Sequence, residues 1–143
     1  MKACSIKKSI RTASIKKRAF LGICSRRHSF AGRTVSLEEV LQESLLVREK
    51  GSGTRMLLEQ AVAARGYSLD SFSRHSSISN FSIICDLVAM DHLITFAYEP
   101  ISHCRNDLAT FRVEDMEITG EFNLVYINRS VAEPKADLFL ATC

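Results

Sequence analysis

The segment that most restricts the possible folds is Leu45-Leu46-Val47-Arg48, followed after Glu49 and Lys50 by Gly51-Ser52-Gly53-Thr54-Arg55. Beyond that turn, Leu57, Leu58, Ala61, Val62 and Ala64 recur at the spacing of an amphipathic helix, and Gly66 stands where a left-handed C-terminal cap is wanted. A short apolar run that passes through a glycine turn straight into a helix is the building unit of α/β folds.

The remaining chain repeats this alternation. Residues 19–25 read as a short buried strand and residues 26–34 as a turn. Ser36 and Glu39 have capping-box spacing, which predicts a short helix to about Gln42. Residues 44–48 form the apolar β segment, and the helix after it should run from Thr54 to Arg65. The serine-rich stretch that follows ends in Ser79 and Asn80, either of which suits the N-cap of a helix carrying Ile83, Ile84, Leu87 and Val88. Strands are expected at residues 93–98, closed by Pro100, at 108–113 and at 122–127. A last short helix should open between Ser130 and Pro134. The order predicts an α/β sheet covered by helices, and 143 residues suffice for one domain with a core.

Composition matters here through its distribution. The net charge is +3, yet residues 1–33 hold ten of the 19 Lys and Arg residues and no acid. The leader, residues 1–18, repeats Ser-Ile-Lys-Lys and reads as a solvated, poorly ordered tail ahead of a folded part at 19–143. Its charge also fits association with nucleic acid or an acidic membrane surface, or an organelle presequence. A basic-tailed nucleic-acid-associated binding protein is therefore the alternative functional reading. No apolar run approaches the roughly 18 residues needed to cross a bilayer. The five cysteines are scattered without a C-x-x-C pair, which argues against zinc and a disulfide framework and suits a reducing cytosol. His28, His75, His92 and His103 lack ligand-like spacing, and Cys104 beside His103 is a poor nucleophile pair, because sequence neighbours rarely face one another. No catalytic residue, metal or cofactor is expected.

The glycine turn has a clearer chemistry. Gly51 and Gly53 permit a sharp turn and close backbone approach. Ser52 and Thr54 supply hydroxyls at a helix start, where the first N–H groups have no internal partner and the dipole is positive. Arg55 adds a fork for an anionic group. The turn can therefore be an anion pocket, or a helix cap with nothing bound. A P-loop is excluded by the missing Gly-Lys-Ser/Thr, and a dinucleotide fingerprint by Met56 in place of its third glycine.

The string from His28 to Gly66 resembles the LysR-type transcriptional regulators, in the second lobe of their effector-binding domain. Members typically read His-Pro-Leu/Phe-Ala-Gly and later Arg-Glu-Pro-Gly-Ser-Gly-Thr-Arg; the matching positions here are His28 to Gly32 and Arg48 to Arg55. The similarity continues through residues 78–88, 93–101 and 121–130, and covers about residues 20–140. The resemblance implies a periplasmic-binding-protein-like α/β lobe, with an incomplete second lobe, and a cytoplasmic regulator without enzyme activity. It implies a small, often anionic effector held by Gly51, Ser52, Gly53, Thr54, Arg55, Ser79 and Asn80, in a protein that is a homo-oligomer at full length. DNA contact would come from a winged helix-turn-helix that does not precede residue 20. Met90-Asp91-His92-Leu93 stands where the family has Gly-Leu-Gly before the strand, Lys50 replaces a proline, and Ser29 another. These departures and the short C-terminal region lead to the expectation that the chain is a fragment.

Overall fold

The computed structural model describes residues 11–126 apart from Asp91, with side chains from residue 17 to residue 120. Two compact units are present. One is Arg18–Gly120; the other combines residues 1–17 with 121–143, of which only 11–17 and 121–126 are described, all in strands.

In chain order the elements are β1 (Arg11–Ser25), β2 (Thr34–Val35), α1 (Leu37–Leu41), β3 (Ser44–Val47), α2 (Gly53–Ala63), β4 (Arg74–Ser77), α3 (Phe81–Ala89), β5 (Leu93–Tyr98), β6 (Leu108–Val113) and β7 (Ile118–Tyr126). Short 3-10 turns occupy Leu69–Ser71 and Glu99–Cys104. The strand order is β2-β6-β1-β5-β3-β4, with β7 also paired to β1. β3 runs parallel to β4 and β5, whereas β1 is antiparallel to β5 and β6.

Strand alternation sends successive side chains to opposite faces. Phe20, Cys24, Leu45, Val47, Ile94, Phe96 and Phe111 share one face with Val40 and Leu41 of α1 and Leu58 and Val62 of α2. Ile23, Leu46, Ala97 and Leu108 face the other way and meet Ile84, Cys85 and Val88 of α3. Each fully buried Leu, Ile or Val contributes about 1.5–3 kcal/mol relative to exposure. At the centre Gly22 pairs with both Phe96 and Phe111, and a Cβ on Gly22 would lie 2.2 Å from the Phe111 ring. The absent side chain is what leaves room for that ring over Gly22.

The helix boundaries follow local chemistry. Ser36 and Glu39 form the expected reciprocal capping box, and the Ser36 bonds hold the Glu39 carboxyl below its usual range. α2 begins at Gly53, one turn position before the expected Thr54. It ends in a Schellman pair, Gly66 N–H to Ala63 O at 3.0 Å and Tyr67 N–H to Val62 O at 2.9 Å, with Gly66 at φ 83°.

Three features depart from expectation. β1 starts at Arg11, so the positions from 11 to 18 that read as a disordered leader are strand, and the boundary expected after residue 18 falls inside β1. Ladder bonds come from the backbone, which lysine-rich composition does not forbid. β4 was not expected, because Arg74, His75, Ser76 and Ser77 are all exposed and carry no apolar alternation. It is held by its parallel register to β3, Leu45 opposite His75 and Val47 opposite Ser77. β7 begins at Ile118, earlier than the expected residue 122. Residues 1–10, Ile127 and the helix expected from Ser130 lie outside the described residues.

Candidate functional site

Because β3, β4 and β5 are parallel, their carboxyl ends lie along one edge of the sheet. In open α/β sheets this is the edge where ligands gather. The glycine turn leaves β3 there, and Ile78 N–H donates to Val47 O at 2.9 Å, which brings the start of α3 beside the start of α2.

Gly51 has φ 93°, a conformation that strains any side-chain-bearing residue. A Cβ on Gly51 or Gly53 would meet nothing within 4 Å, so the backbone of the turn is open to approach. Ser52 takes the extended N-cap conformation, but its side chain makes no bond to the helix amides. Its Oγ lies instead 3.0 Å from Thr54 Oγ1. The first bond inside α2 is Met56 N–H to Ser52 O, 3.0 Å. The amides of Gly53, Thr54 and Arg55 precede it, at the positive end of an 11-residue helix.

The α3 start differs. Asn80, not Ser79, is its N-cap, and Asn80 Oδ1 accepts the N–H groups of Ser82 at 2.9 Å and Ile83 at 3.4 Å. That helix closes its own end, while Ser79 is exposed beside it.

Arg55 departs from the expected role of a ligand fork. Its side chain is only 10% exposed and its Nε donates to Glu59 Oε1 at 2.7 Å. Nη1 reaches Arg48 O at 3.1 Å and Ser77 Oγ at 3.5 Å, while Ser77 Oγ itself donates to Arg48 O at 3.2 Å. The guanidinium braces the ends of β3 and β4 because these acceptors lie closer to it than the open side of the turn.

The void directly beneath the turn, bounded by Thr54, Thr95 and Phe96, measures about 10 Å³, room for about one water. The large concavity of this unit, about 770 Å³, shares Phe96 with that void and is walled by β1, β6 and residues 114–119. It falls in the size range of small-molecule sites but does not include Ser52 or Thr54. Donor chemistry and enclosed volume are thus adjacent along the edge and not coincident. The hydroxyls of Ser52 and Thr54 lie outside the concavity, which volume alone would have selected.

Burial pushes the Cys85 thiol above its ordinary value, favouring the un-ionised form. Cys104 is exposed, and its Sγ lies 3.5 Å from Pro100 O. No cluster of His, Cys, Asp or Glu among the described residues could hold a metal ion, and no helix among them is long and apolar enough to cross a membrane.

This two-sided sheet with a glycine turn at the carboxyl edge is the periplasmic-binding-protein-like fold of regulator effector domains. The chain belongs to the LysR substrate binding domain family, whose model matches residues 9–143. No curated protein matches the chain in sequence. Similar solved structures include the Synechocystis PCC6803 CcmR regulatory domain in complex with 2-PG, at 16% identity and TM-score 0.72, with 99% of this chain and 71% of that chain covered. The effector-binding domain of QuiR in complex with shikimate follows at 14% identity and TM-score 0.70, with 96% and 66% covered. HinK, a LysR family transcriptional regulator from Pseudomonas aeruginosa, is 15% identical with TM-score 0.66, and the chain spans 50% of its length.

Proposed function

We propose that this chain is the effector-sensing part of a LysR-type transcription regulator, acting in the cytoplasm without catalysis, and that its effector is a small anion held at the start of α2. The carrying observation is the uncapped helix end: Ser52 leaves the amides of Gly53 to Arg55 free and pairs its hydroxyl with Thr54. Ser52 and Thr54 are the hydroxyl donors in this reading, and Gly51 and Gly53 keep the approach open. Ser79 adds a third hydroxyl from the neighbouring helix start. Arg55 and Asn80 act by holding the two turns in place. That CcmR and QuiR have structures with 2-PG and shikimate supports a small-molecule effector. In the whole regulator, effector binding would bias the packing of an oligomer on DNA.

Thermal melts with sulfate, sulfite and small carboxylates test this. An anion present at about 100 times its dissociation constant stabilises a single site by roughly 2.7 kcal/mol. Ser52→Ala combined with Thr54→Val should remove most of that gain. A folded chain whose melting temperature no anion raises, or a gain untouched by the double variant, would reject the reading.

A further inference from the structure

A second concavity, about 460 Å³, lies along the flank of α2, between that helix, the Leu69–Ser71 turn and β4. Ser52 and Thr54 do not line it, so it is separate from the effector turn in its donors. Glu59 is matched by Arg55 Nε at 2.7 Å. Asp70 Oδ1 lies 3.8 Å from His75 Nε2. Lys50 is exposed at the mouth and has no ion pair or hydrogen bond among the described residues. Ser68 and Leu69 complete the wall with Ala63, a small residue that leaves room on the helix surface, and the half-buried ring of Tyr67, packed against the main core.

The structure assigns this groove, we infer, as a second ligand site for a small organic monoanion with an apolar body. The anionic head meets Lys50, and the body lies along Ala63 and Tyr67. A second negative charge on the ligand is disfavoured, because the carboxylates of Glu59 and Asp70 line the same groove. The inference stands independently of the proposal for the glycine turn, where hydroxyls and helix amides do the recognising.

Calorimetric titration of the full chain with benzoate, with hexanoate and with sulfate tests it. Benzoate or hexanoate should bind saturably, and sulfate should not displace either. Lys50→Glu should weaken binding on the order of tenfold. Ala63→Trp, at an exposed helix position, should block the groove, and circular dichroism would confirm that both variants keep their fold. The Ser52→Ala, Thr54→Val double variant should bind benzoate as the parent does. The assignment is overturned if neither organic anion binds saturably, if sulfate displaces them, or if binding ignores Lys50→Glu and Ala63→Trp. Loss of binding in the double variant alone would place the anion at the glycine turn instead.

Discussion

His92 carries a backbone φ of 69°, in the left-handed region, immediately before β5. A side chain in that region costs about 1–2 kcal/mol relative to the right-handed form, because Cβ crowds the following carbonyl. Asp115, at φ 55° in the connection between β6 and β7, meets the same demand with a residue type that tolerates it better. The family resemblance places glycines near His92, and a φ of 69° is one that glycine adopts without this cost. His92→Gly should therefore raise stability by about 1 kcal/mol, less the extra chain entropy glycine brings to the unfolded state. Urea denaturation measures this directly. A fall in the midpoint would mean that the contacts of the imidazole outweigh the strain, and the residue would have to be reclassified as a stabilising one.

The two helix starts at the carboxyl edge make a comparison at the level of elements. Asn80 bonds two amides of α3, whereas Ser52 bonds none of α2. Asn80→Ala should cost about 1 kcal/mol, the usual value for losing an N-cap. Ser52→Ala should cost much less in ligand-free protein, since only its hydroxyl contact with Thr54 is lost. Equal losses in denaturant titrations would show that Ser52 does cap α2 in solution, and would remove the basis for an anion at that end. Sequence made much of this edge readable. The 36–39 capping box, the apolar runs of β3 and β5, and the glycine turn with its amphipathic helix all announce themselves through short-range chemistry. What stayed hidden depends on partners distant in the chain. Arg55 looks like a ligand fork until Arg48 O and Ser77 are brought beside it. β4 has no apolar pattern at all and exists only because β3 offers it a ladder. The groove beside Lys50 joins residues from α2, a 3-10 turn and β4, a set that no spacing rule would collect.

At the scale of the molecule, the distribution of burial predicts where the fold is tightest. β5 lies between β1 and β3 and is covered on both faces: Ile94 and Ala97 are wholly buried, one facing α1 and α2, the other facing α3. The Thr95 hydroxyl donates to Leu46 O at 2.8 Å, tying β5 to β3 through a side chain as well as the ladder. The Arg18–Gly120 unit thus closes both faces of its central strands with its own helices. β4 is the opposite case, an outer strand whose four residues are all exposed and which, among the described strands, pairs with β3 alone. Local opening free energy follows buried apolar contact, so amide exchange should span a wide range within this one sheet. The amides of residues 93–98 should be the slowest of the strand amides, exchanging only through global unfolding, and those of residues 74–77 among the fastest. Hydrogen–deuterium exchange read by mass spectrometry separates these segments. Protection at β4 equal to that at β5 would require something beyond this sheet to cover the outer strand. Protection that rose with protein concentration would identify the cover as a second copy of the chain.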